Sequence, residues 1–99
     1  MNLRVSEQNE GVTVFLAGEI DLEHSPEARK TLLAAFDRKK AVTADLQAVT
    51  YLDSSGVATL VEAYQKAQQV KQAFALARVS EPALKVLALA RLDKVFTIR

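Results

Sequence analysis

Ninety-nine residues suffice for one small domain with one core, burying roughly two-thirds of the unfolded surface. Apolar residues at 49% and charged residues at 25% match globular averages and exclude a disordered chain. The 13 basic and 12 acidic residues nearly cancel, to +1, and no basic block exceeds Arg38-Lys39-Lys40, which excludes a nucleic-acid footprint. That triplet reads as a solvated helix end. Without cysteine, thiol chemistry, disulfides and cysteine-ligated zinc drop out, and a reducing compartment is suited. Met1–Ser6 has no apolar signal core, and no apolar run approaches the roughly 18 to 20 residues of a membrane span. A cytoplasmic location is therefore expected.

In chain order, Leu3-Arg4-Val5-Ser6 alternates as a half-buried strand, Asn9-Glu10-Gly11 is a turn, and Val12–Ala17 is rich in β-formers. Together they predict a hairpin. Gly18-Glu19-Ile20-Asp21 ends its second strand. Ser25 as N-cap, Pro26 and Glu27 then predict a helix whose apolar stripe is Ala28, Leu32, Leu33 and Phe36. Ala41–Leu46 is the next strand, and Gln47–Leu52 leads to Asp53-Ser54-Ser55-Gly56.

From Val57 the spacing of Leu60, Val61, Tyr64 and Ala67 predicts a long helix, with Glu62 and Lys66 placed to pair on its surface. Ala73–Ala77 reads as a short buried strand. Ser80 caps a helix with Leu84, Leu87 and Ala88 inward, and Val95–Ile98 closes as a strand. The order ββαβαβαβ predicts an α/β fold, a small mixed, mainly parallel sheet with crossover helices. No surplus apolar stripe is visible, so the free chain is expected to be a monomer.

Little in the chain suits catalysis. His24, the only histidine, precedes a helix start and reads as a solvated loop residue. A triad of Ser54 or Ser55, His24, and Asp21 or Asp53 fails on the missing Gly-x-Ser-x-Gly elbow. A short-looped chain also has little room for a pocket of a few hundred Å³. The three glycines form no phosphate-binding pattern. Glu19, Asp21 and Glu23 lack the glycine spacing of a calcium loop and read as a charged loop edge. No metal or cofactor is expected.

Asp53-Ser54-Ser55-Gly56 falls where a strand meets a helix. Read alone, it is foremost a helix cap with a glycine easing the turn. It is also a phosphorylation target: a phosphoserine adds about −1.5 to −2 charges, and free N–H groups at a helix start favour an anion. Asp53 would oppose it.

The same residues, followed by Val57, resemble the Asp-Ser-Ser-Gly-Leu/Val/Ile signature of STAS domains, named for sulfate transporters and anti-sigma factor antagonists. Gly18-Glu19-Ile20-Asp21, Asp45-Leu46 and Leu92-Asp93-Lys94-Val95-Phe96 are similar to further family segments, in the same order. The resemblance covers essentially the whole chain and implies one STAS domain over residues 1–99. It implies a non-enzymatic anti-sigma factor antagonist that acts as a partner switch. The unphosphorylated form would bind an anti-sigma factor that is also a serine kinase of the histidine-kinase-like ATPase fold. Phosphorylation at Ser54 would release it, and a PP2C-type phosphatase would reset it. ATP and magnesium would belong to the kinase. Glu19, Asp21, Leu22, Asp53, Ser55, Gly56, Val57 and Ala58 would form or shape the docking surface. Short STAS subunits of phospholipid-transport ABC complexes, which bind the ATPase subunit, are the alternative implied; the intact serine pair favours the switch.

Overall fold

The computed structural model describes residues 2–99. Five strands, β1 (Asn2–Glu7), β2 (Gly11–Ile20), β3 (Ala41–Leu52), β4 (Phe74–Ala77) and β5 (Thr97–Ile98), form one sheet. Helices α1 (Ser25–Ala35), α2 (Ser54–Val70) and α3 (Glu81–Leu89) form the crossovers, in the expected ββαβαβαβ order. β1 and β2 pair antiparallel, and every later pair is parallel.

Periodicity does not reveal the strand order, which equals the chain order: β1-β2-β3-β4-β5. Three successive crossovers therefore step the same way, and their right-handedness lays all three helices on one face. Burial agrees. In β2, Val12, Val14 and Leu16 are buried while Thr13, Phe15 and Ala17 are only half-buried. The inward series joins Ala28, Leu32, Val42, Ala44, Leu46, Leu60, Ala63, Leu76, Ala83 and Leu87 in one core. Phe36, Phe74, Phe96 and Tyr64 close its far end as a chain of tilted and edge-on rings 5.7–6.4 Å apart.

Several local expectations need correction. Ser25 is not the cap of α1. It is buried inside the first turn; His24 is the N-cap residue and no side chain caps the helix, while Asp21 closes the turn before it, its Oδ1 accepting the His24 N–H at 3.0 Å. β3 does not stop at Leu46 but runs twelve residues. Its pairing jumps from Phe15↔Asp45 to Ala17↔Ala48, and again from Gly18↔Val49 to Glu19↔Tyr51, so two extra β3 residues are absorbed in bulges. The bulges break the inside–outside alternation, which disguises the strand. At the second, Gly18 takes a φ of 87°, where a side chain would be strained.

α3 starts after its Ser80 cap as expected but turns Ala83 and Leu87 inward, with Val86 half-buried, while Ala88 and Leu84 are exposed. The last strand contains only Thr97 and Ile98, because Leu92–Phe96 forms a tight turn. Glu62 pairs with Arg29 of the adjacent α1 rather than with Lys66. Arg38 and Lys40 are not simply a solvated end: they hold Glu7 at 3.3 and 2.9 Å, pinning the edge strand β1 to the end of the α1 crossover. Among the described residues, no helix is long and apolar enough to cross a membrane.

Candidate functional site

α2 begins at Ser54, earlier than the apolar spacing alone implies, because Asp53 caps it. Asp53 Oδ1 accepts the Ser55 N–H at 2.8 Å and the Gly56 N–H at 3.1 Å. The Val57 N–H is taken by the Asp53 carbonyl at 2.9 Å. Of the N–H groups expected for an incoming anion, those of Ser55, Gly56 and Val57 are therefore already satisfied. Asp53 Oδ2 reaches outward and accepts the Leu22 N–H at 3.2 Å, in the loop between β2 and α1. One carboxylate thus ties two segments, 31 residues apart, into one surface.

Gly56 is required by close packing. A Cβ built on it would lie 2.4 Å from Leu52 Cδ1 and 2.5 Å from the Ile20 carbonyl oxygen. It is buried, and it lets the first turn of α2 lie against the end of β2.

The two hydroxyls differ. Ser54 is exposed, and its hydroxyl makes no hydrogen bond among the described residues, whereas Ser55 is half-buried. Glu19 and Ala58 are exposed, Leu22 is 76% exposed, and Asp21, Asp53 and Val57 are half-buried, Val57 against the core. Tyr51, which sequence reasoning passed over, is 49% exposed and pairs with Glu19 across β2 and β3. Its signal was its place beside buried Leu52 at a strand end, masked by the bulge before it. Glu19, Asp21, Glu23 and Asp53 make this end of the molecule acidic, with apolar Leu22 and Tyr51 among them.

His24 is not a free loop residue. Its ring Nδ1 donates to Asp21 Oδ1 at 2.7 Å. Desolvation raises the Asp21 pKa most among single causes, but the hydrogen bonds from the His24 N–H and ring outweigh it together and hold Asp21 below the ordinary carboxylate range. Among the described residues, His24 touches no serine hydroxyl, so no Ser-His-Asp relay is assembled. Asp21, Glu23 and His24 bring three potential ligand atoms within 4.8 Å of one another, but Asp21 Oδ1 is already engaged by the His24 N–H and ring; Glu19 is outside the group.

This geometry has clear relatives. The family model described as Mlab, STAS domain matches residues 3–98. An anti-sigma factor antagonist from Mycobacterium paratuberculosis is 27% identical, with a TM-score of 0.87 over 98% of this chain and 83% of its own. An anti-sigma-factor antagonist (STAS) domain protein from Planctomyces limnophilus shares the fold at 23% identity, with a TM-score of 0.81 over 97% of this chain and 87% of its own. The phosphorylated form of the Bacillus cell fate determinant SpoIIAA does so at 19% identity, with a TM-score of 0.75 over 99% of this chain and 91% of its own. The α/β architecture is that of the STAS class. The chain is a member of the STAS domain family.

Proposed function

We propose that this protein is an anti-sigma factor antagonist whose docking surface is switched by phosphorylation at Ser54. The observation that carries the reading is the Asp53 carboxylate, which joins the Leu22 loop to the start of α2 beside an exposed, unbonded serine hydroxyl. Ser54 is the more accessible of the two hydroxyls and so the acceptor. Ser55 and Gly56 build the turn that presents it. The protein is substrate and ligand, not catalyst.

Glu19, Asp21, Leu22, Val57 and Ala58 form the partner surface around it. The partner is an anti-sigma factor with serine kinase activity on the histidine-kinase-like ATPase fold, and a PP2C-type phosphatase reverses the modification. A phosphate on Ser54 places about −1.5 to −2 charges beside Asp53, whose Oδ1 already occupies the Ser55 and Gly56 N–H groups that would otherwise favour it. It therefore repels the cap and adds a charge that docking must desolvate next to Leu22. That a Bacillus protein of this fold was solved in a phosphorylated form supports the compatibility of fold and modification.

Incubation with the kinase and ATP, followed by peptide mass spectrometry, tests the assignment: phosphate on Ser54 is expected, and phosphate confined to Ser55 contradicts it. A second reading, a subunit binding the ATPase of a phospholipid-transport ABC complex, draws on the matching family model, which carries the description Mlab rather than antagonist. It predicts stable co-purification with that ATPase, indifferent to phosphorylation.

A further inference from the structure

The face of the sheet that the helices leave bare is not featureless. Arg4, Phe15, Asp45 and Ala77 are register partners across β1 to β4, so they form one row on one face. Strand spacing of about 4.8 Å makes that row roughly 14 Å long. The neighbouring row holds Ala17 and Ala48, whose small side chains leave a depression beside it. The result is a groove of about 530 Å³, where little room for a pocket was expected.

The charges along it are arranged by specific backbone devices. Alternation would send Arg78, which follows Ala77, to the helix side. It takes a left-handed φ of 48° instead, and its Nε donates to Asp45 Oδ2 at 2.8 Å. Such a conformation is costly for a residue with a side chain. Asp45 is 92% buried by side chain area, its other oxygen accepting the Gln47 N–H at 3.1 Å within the bulge. The Arg78 Nη groups remain without a partner among the described residues. One strand away, the Arg4 guanidinium stacks 4.2 Å over the ring of Phe15, the register partner of Asp45, and makes no ion pair among the described residues.

We propose that this groove binds a small, flat anion: an aromatic ring lying over Ala17 and Ala48, with its phosphate or carboxylate held by the Arg4 and Arg78 guanidiniums. Buried Asp45 orients Arg78 and is satisfied by it, so two cations face the groove while one carboxylate is neutralised within it. Guanidinium–oxyanion pairs are strong and geometrically selective. Phe15 supplies an aromatic wall, and the alanines supply the floor. The site is independent of the Ser54 reading.

Amide NMR titration of the full chain with phenyl phosphate, benzoate and inorganic phosphate tests this. Saturable shifts at Phe15, Ala17, Ala48 and Arg78 are expected, with phenyl phosphate binding about tenfold tighter than inorganic phosphate because the ring adds apolar contact. Arg4→Gln, at an exposed edge position, should fold and weaken binding about tenfold. The double variant Asp45→Asn/Arg78→Gln, which leaves no buried charge unpaired, should weaken it at least as much. Ser54→Ala should leave it unchanged. Shifts centred on the start of α2, an Arg4→Gln affinity equal to the parent, shifts that depend on protein concentration rather than probe, or no saturable shift by about 10 mM probe would each overturn the proposal.

Discussion

Asp53 divides its two carboxylate oxygens among three backbone N–H groups from two segments of the chain. Its removal should therefore cost more than an ordinary cap. Asp53→Ala is expected to lower stability by about 1–2 kcal/mol, and to speed amide exchange at Leu22 together with Ser55 and Gly56. If exchange rises only at Ser55 and Gly56, the link to the Leu22 loop is not maintained in solution. Gly56 allows a sharper forecast. A methyl group there meets Leu52 and the Ile20 carbonyl well inside contact distance, so Gly56→Ala should cost about 1–3 kcal/mol in urea unfolding. A neutral result would mean that α2 can shift away from β2 freely. The cap and the glycine were legible as residue types; the third bond of Asp53 was not, because it links positions 31 apart in sequence. Ser25 misled for a related reason. A serine before a proline looks like a cap, but the helix starts one residue earlier, with His24 as N-cap held by Asp21, so Ser25 falls inside the first turn.

Among the elements, β1 has a free edge and little buried surface of its own. Glu7 compensates by holding Lys40 and Arg38 beyond α1. The hydrogen bond from Lys40 is the main reason that the Glu7 carboxyl lies below its ordinary range, with the Lys40 and Arg38 charges helping against desolvation. Its folded pKa being depressed, the stability it contributes is present above the unfolded value of about 4.3 and is lost as pH falls through the folded one. Asp21 acts with the same sign. Glu7→Gln should thus flatten the fall of stability below about pH 4 while changing little between pH 6 and 8. An unchanged acid limb in the variant would show that the clamp does not form. Helix α2 is legible because it keeps a single period, β2 because it alternates as far as Leu16, and β4 because it is a short, wholly apolar run. β3 is disguised by its two bulges, and α3 by apolar residues all round it: exposed Leu84 and Leu89 look as inward as buried Leu87.

At the scale of the molecule, alternation of strands and helices specifies the α/β class, but the strand order depends on crossover direction, which local sequence does not encode. That order gives the molecule two unlike faces and an acidic end where the β2–α1 loop and the start of α2 meet. Leu22 is 76% exposed there, so Leu22→Ala should leave unfolding unchanged and weaken partner binding about tenfold. Loss of stability in that variant would make Leu22 a packing residue instead. The proposed gating of this surface by Ser54 is met most directly by calorimetric titration of the proposed kinase partner with the unphosphorylated and the Ser54-phosphorylated chain. The account predicts tight binding by the first and at least about tenfold weaker binding by the second, with Ser54→Ala binding tightly whether or not ATP is present. Equal affinity of the two forms would contradict it.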